Sequence, residues 1–221
     1  MQPEIFTQVA LSFEVVGLIA FAASGALLAA AKRMDVIGMM ALASVTGLGG
    51  GMTRDVLIGA TPVAALESWW MLLVTIGTAL VVFVLYRIVH RLRRAMLVFD
   101  ALGLAIFVVN GTMKAHLLGV NPVGSAVVGL LTGVGGGVIR DLIANDIPVV
   151  FQRDSKLYLT PALLGAAAIA TLAAFDVSAW WISALVVLGV FTTRLISEVL
   201  GWRAPSLKTQ TLNVVDGGRR D

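Results

Sequence analysis

Two short motifs carry most of the chemistry in this chain. Gly49-Gly50-Gly51 is followed two residues later by Arg54-Asp55, and Gly135-Gly136-Gly137 is followed in the same way by Arg140-Asp141. Both lie within long apolar stretches. A glycine in a helix costs about 1 kcal/mol against alanine, so a run of three needs a reason. Close packing of helices is one, because small residues let backbones approach. Spaced glycines such as Gly17, Gly25, Gly38 and Gly47 already serve that purpose. The run therefore favours a second reading, in which the helix unwinds and offers bare carbonyls. Such carbonyls end a half-helix at the negative pole of its dipole and suit a cation. Bare backbone at membrane depth is tolerated only beside protein or a wet cavity.

Arg54, Asp55, Arg140 and Asp141 place ionised side chains inside apolar segments. Such charges are costly and usually face a bundle interior or a water path; a structural ion pair is the plainer alternative. Sequence neighbours on a helix point to different sides. The expected pairing is therefore crosswise, Arg54 with Asp141 and Arg140 with Asp55, tying the two motif helices together. Glu14 and Asp100 form a further acidic pair early in their helices. As vestibule residues they attract cations; as hydrated helix ends they need no function. Lys114 and His116 have no charged counterparts (Leu28 and Ala30). Lys114 is expected to snorkel outward, the alternative being a place in the path. Arg194 and Glu198 have the spacing of an i,i+4 contact.

Other chemistries are missing from the sequence. Cysteine is absent and the two histidines, His90 and His116, are isolated. No hydrolytic triad or metal-ligand spacing is visible, and neither glycine run is followed by the Lys-Ser/Thr of a phosphate loop. The expectation is a non-enzymatic protein without cofactor.

The elements that must position these residues are membrane spans. Of 221 residues, 58% are apolar and 13% charged, against about 25% charged in ordinary soluble domains, and the mean hydropathy is +0.94. Counting stretches of roughly 20 apolar residues gives an all-α integral membrane protein with seven transmembrane helices near 8–31, 34–59, 68–88, 97–118, 121–145, 157–175 and 178–200. The second and fifth are kinked at their Gly-Gly-Gly runs. From Met34 to Gly49 is roughly 22 Å at helical rise, which puts the expected break past the middle of a core about 30 Å thick. The net charge of +3 is confined to loops and tail, the pattern of a membrane protein rather than of a nucleic-acid binder. Lys32, Arg33, Arg87, Arg91, Arg93, Arg94, Arg153, Lys156, Arg203, Lys208, Arg219 and Arg220 fall on one side, and Glu4, Glu67 and Asp176 on the other. That places the N-terminus outside and the C-terminus in the cytoplasm. Trp69-Trp70 and Trp180-Trp181 mark interfaces. Residues 202–221 read as a disordered cytoplasmic tail.

An internal repeat organises the spans. Phe13, Gly17, Phe21, Gly25, Gly38, Thr46 and Gly47 match Phe99, Gly103, Phe107, Gly111, Gly124, Thr132 and Gly133, and Pro62-Val63 matches Pro148-Val149. The offset is a constant 86, the separation of Arg54 from Arg140. Three spans is an odd number, so the second copy (93–176) enters the bilayer inverted relative to the first (5–92), with a seventh helix at 177–201.

Two inverted three-helix repeats, each with Gly-Gly-Gly-x-x-Arg-Asp, plus a seventh helix, resemble the prokaryotic branch of the trimeric intracellular cation (TRIC) channel family. The resemblance covers about 5–200. It implies a homotrimer among membrane lipids, with a pore inside each protomer. It implies permeation of potassium, or of sodium, past the kinks at Gly49–Gly51 and Gly135–Gly137, with only transient metal-ion contact and no cofactor. It also implies the prokaryotic plasma membrane as location. Animal members carry a Lys-Glu-Val stretch at the second kink; here it reads Gly136-Gly137-Val138, so phosphoinositide regulation is not carried over. Proteins of this type are also catalogued as glycine transporters. A secondary transporter of glycine or another small zwitterion is the alternative, because broken inverted repeats serve transporters as well.

Overall fold

The structure is a computed structural model describing residues 3–88, 92–152, 158–177 and 179–202. All regular structure among the described residues is helical. α1 spans Pro3–Ala31, α2 Val36–Leu57, α3 Ala64–Glu67, α4 Trp69–Leu85, α5 Leu92–Leu117, α6 Pro122–Ile143, α7 Leu159–Ala174 and α8 Trp180–Leu200, with a 3-10 turn at Val149–Phe151. Arg91, Arg153, Lys156 and the tail from Arg203 onward lie outside the described residues.

Local chemistry fixes the helix ends. Asp35 caps α2, its Oδ1 accepting from the Gly38 amide at 2.7 Å. Asn121 caps α6 in the same way on Gly124 at 2.9 Å, and Pro122 occupies the first turn where its missing N–H costs nothing. Gly201 ends α8 in the left-handed region at φ 70.

α1 and α5 are central and pack on each other. α2 packs on α1 and α6 on α5. α2 and α6 meet, α4 covers α1 and α2, and α7 covers α5 and α6. This contact pattern is unchanged when α1, α2 and α4 are exchanged for α5, α6 and α7. α8 stands apart, against α5 and α7. The same backbone devices recur 86 residues on. Arg33 and Gly119 both take positive φ, as do Gly59 and Asn145. Thr46 bonds the Leu42 carbonyl at 2.5 Å, and Thr132 the Val128 carbonyl at 2.6 Å.

The distribution of polarity suits a bilayer. Leu73, Val81, Val84, Leu164 and Leu185 are exposed, while Ser24, Arg54, Asp55, Asp100 and Arg140 are buried. Trp69, Trp180 and Trp181 are exposed at helix starts, where indoles favour the membrane interface. Five helices (α1, α2, α5, α6, α8) are long and apolar enough to cross a membrane. α4 and α7 have 17 and 16 residues, roughly 25 Å of helix.

Two expectations need correction. α5 begins at Leu92, well before the expected 97, so Arg93 and Arg94 belong to its first turn rather than to a loop. Water and headgroups solvate arginines there, and the helix outlasts its apolar stretch. More importantly, the glycine runs do not unwind their helices. α2 and α6 continue through Gly49–Gly51 and Gly135–Gly137, and the Gly49 carbonyl also accepts from the Thr53 hydroxyl at 2.8 Å. The glycines serve a crossing. A Cβ on Gly50 would strike the Thr132 carbonyl oxygen, and a Cβ on Gly136 would strike that of Thr46. Packing, the reading the run of three had weighed against, is its role in this conformation.

Candidate functional site

The helix crossing sets the site. Gly50 lies on Thr132 and Gly136 on Thr46, so rising numbers in α2 meet falling numbers in α6 and the two helices run antiparallel. Their Arg-Asp pairs therefore project from opposite ends of the crossing. The expected crosswise pairing is wrong for this reason: Arg54 and Asp141 are separated by about 20 Å along the helix axes. Each arginine instead folds back on its neighbour, Arg54 Nε to Asp55 Oδ1 at 2.8 Å and Arg140 Nε to Asp141 Oδ1 at 2.8 Å. A long side chain in the last helical turn reaches around to the next residue, which overrides the divergence of their Cβ directions.

At the first cluster, Asp55 also takes Lys114 Nζ on Oδ1 at 2.9 Å and the Ala64 amide on Oδ2 at 3.1 Å. Arg54 Nη2 reaches Glu14 Oε1 at a loose 3.4 Å. Arg54 Nη1 is buried without a hydrogen-bond partner among the described residues. A cavity of about 10 Å³ lies beside it, lined by Glu14, Gly51, Arg54, Asp55, Ala64 and Met71 among others; that is room for about one water. Lys114 thus does not snorkel outward. A buried carboxylate one helix away offers more than the headgroup region does.

The second cluster is tighter. Arg140 Nη1 donates to Asp100 Oδ1 at 2.7 Å and to Ser24 Oγ at 2.5 Å, and the Val149 amide caps Asp141 Oδ2 at 3.1 Å. Asp100 is buried here, not the open vestibule residue expected; Glu14, its counterpart 86 residues earlier, keeps a side chain 20% exposed. Asp141 also lines an open cavity of about 520 Å³ with Arg93, Asp146 and Gln152. The second cluster sets two carboxylates against one guanidinium, whereas the first balances Arg54 and Lys114 against Asp55 and Glu14.

Between the clusters, Phe21 of α1 and Phe107 of α5 stack with ring centroids 5.3 Å apart and planes 9° apart. Arg194 and Glu198 meet as expected, at 3.1 Å. Sequence reasoning missed four participants. Phe21 and Phe107 were visible only as repeat mates. Ser24 gave no signal, its mate being Asn110. Tyr158 was passed over as a residue at a span start, yet it is buried and lies under Arg194, whose Cζ sits 4.9 Å from the ring centroid.

The family described as Glycine transporter matches residues 11–87 and 97–174, the two halves that the 86-residue offset relates. The UPF0126 inner membrane protein YadS of Escherichia coli is 36% identical over 208 residues, covering 93% of this chain and 97% of that protein. The TRIC trimeric intracellular cation channel orthologue from Rhodobacter sphaeroides superposes with TM-score 0.82 at 36% identity, covering 87% of this chain and 98% of that one. The chain belongs to the prokaryotic TRIC channel family. A UPF0126 membrane protein of Deinococcus radiodurans is 43% identical over 160 residues, 72% of this chain and 74% of its own. As a TRIC family member the chain is a multi-pass membrane protein, and its two Arg-Asp clusters flank a crossing inside a single protomer.

Proposed function

We propose that this protein is a potassium-permeable cation channel whose conduction path runs within each protomer of a homotrimer. The observation that carries the reading is the pair of buried charge clusters at opposite ends of the α2–α6 crossing, in one chain that shares its fold with solved cation channels. Buried ionisable groups in membrane helices mark ion pathways, and the acidic excess at Arg140, Asp100 and Asp141 favours a cation. Gly49–Gly51 and Gly135–Gly137 form the narrow part of the path. Glycine suits it because two bare helix faces can part without side chains to disengage, exposing backbone carbonyls to the ion. Arg54, Asp55, Lys114, Arg140 and Asp141 set the local field, and Glu14 opens the route at the first cluster.

Seven spans, arranged as two inverted three-helix repeats with α8 added, place the N-terminus outside and the C-terminus in the cytoplasm of a prokaryotic inner membrane. The basic residues Lys32, Arg33, Arg87, Arg93 and Arg94 support this orientation. The first cluster then faces outward and the second the cytoplasm.

The test is flux in liposomes holding the purified protein, beside an Arg54→Ala/Arg140→Ala variant. Potassium flux that follows the membrane potential, altered in the variant and without glycine counterflow, supports the channel. Saturable glycine uptake with no potassium current overturns it in favour of the transporter that the family's description names.

A further inference from the structure

The two ends of the crossing differ in a way their common sequence motif does not announce. At the first cluster the surface beside Gly51 is open. A Cβ built on Gly51 meets only Arg54 Nη2, at 3.9 Å, and the small cavity adjoins it. At the second cluster the equivalent glycine is covered. A Cβ on Gly137 would lie 3.2 Å from Tyr158 Oη and 3.3 Å from Asp100 Oδ1. The phenol hydroxyl thus stands over the glycine face, next to the carboxylate that holds Arg140.

Tyr158 is not held there by its own helix alone. It precedes α7, is 4% exposed and packs with Phe21, Phe107, Leu104 and Val134. Across its ring lies Arg194 of α8, 3% exposed. Arg194 is a costly residue inside a membrane helix. Glu198 binds Nη1 at 3.1 Å, and Nε is buried without a hydrogen-bond partner among the described residues. The cation is thus only partly satisfied by hydrogen bonds, and the tyrosine ring supplies a further attraction. α8 has no counterpart in the repeat, and among the described residues no equivalent clamp acts on the first cluster.

Resting on the channel reading, we propose that Tyr158 is the seal at the second-cluster end of the conduction path and that Arg194 is a positioning residue that holds it closed. With the seal in place, the hydroxyl occupies the glycine face that an ion must pass. When Arg194 withdraws, the ring is free to turn off Gly137. The added helix α8 thereby acquires a role, as the element that biases one end of an otherwise symmetric path.

Single-channel recording in planar bilayers under a potassium gradient tests this, with thermal unfolding of the same preparations in detergent as a stability control. Tyr158→Phe keeps the ring and the Arg194 contact but removes the hydroxyl; it is expected to raise unitary conductance with unchanged melting. Arg194→Gln/Glu198→Gln removes the clamp and its carboxylate partner together, leaving the net charge unchanged. It is expected to raise open probability about thirtyfold, roughly what a desolvated cation–π contact contributes, and Arg194→Lys is expected to restore part of the closure. Lower melting of the Gln pair with open probability unchanged would make Arg194 a mere anchor of α8 and overturn the clamp. Unchanged conductance and gating in Tyr158→Phe, the variant least able to disturb folding, would overturn the seal. Wild-type protein that passes no potassium at all would refute the channel reading itself, and the seal with it.

Discussion

Asp55 shows how much a single carboxylate can hold together. It accepts from Arg54 Nε, from Lys114 Nζ and from the Ala64 amide, joining α2, α5 and the segment that enters α3. Asp55→Asn leaves two cations facing a neutral amide, and one of them, Arg54, is 1% exposed. Removing one partner of a buried pair costs roughly 3–5 kcal/mol, so thermal unfolding in detergent is expected to show a large drop in melting temperature. Lys114 has a side chain 33% exposed, and an ion pair of that kind contributes less than about 1 kcal/mol. Lys114→Met is therefore expected to melt close to the wild type. Equal losses in the two variants would refute the view that Arg54, rather than Lys114, is the costly partner.

Among the helices, the glycines divide by what lies opposite them. Gly136 faces the Thr46 carbonyl oxygen so closely that no Cβ fits, and backbone cannot move aside as a flexible side chain can. Gly136→Ala is expected to force α2 and α6 apart, at about 1–3 kcal/mol for overpacking. Gly77 in α4 has nothing within 4 Å of a built Cβ and lines an apolar groove with Ile19, Ala23 and Leu73. Gly77→Ala meets no obstacle and gains helix propensity, about 1 kcal/mol of stabilisation. Opposite signs for these two substitutions in the same unfolding assay would support a crossing in which backbone lies directly on backbone. A neutral Gly136→Ala would mean that the crossing is looser than described.

For the molecule as a whole, the absence of cysteine makes labelling clean. Cysteine at Glu67 is expected to react with an impermeant thiol reagent added outside intact cells, and cysteine at Arg93 only after the membrane is opened. The reverse pattern would invert the proposed orientation. The proposed conduction path inside each protomer also has a measurable consequence. When wild-type subunits are mixed with a non-conducting variant, current is expected to fall in proportion to the wild-type fraction. A fall with the third power of that fraction would place one shared pore on a trimer axis instead.

The sequence by itself determined a membrane protein, because 58% apolar residues in runs of span length have no other economical burial. It determined the recurrence as well: motifs at an offset of 86 return in the structure as the same caps, the same positive-φ turns and the same threonine bonds. It also located the charged residues of the candidate site. Only the tertiary structure decided their partners. A helical pattern states on which side of a helix a residue begins, not how far a long side chain reaches or what another helix places opposite it. Arg54 thus closed on Asp55 rather than on Asp141, and Lys114 turned inward. The glycine runs misled for the same reason: three glycines in sequence are equally compatible with an unwound helix and with a helix pressed against another backbone. Only the position of the Thr46 and Thr132 carbonyls distinguishes the two. Tyr158 and Arg194 lie 36 residues apart in the chain; the repeat mate of Tyr158 is Leu72, and Arg194 stands outside the repeat, so their contact exists only once α8 has docked on α5 and α7.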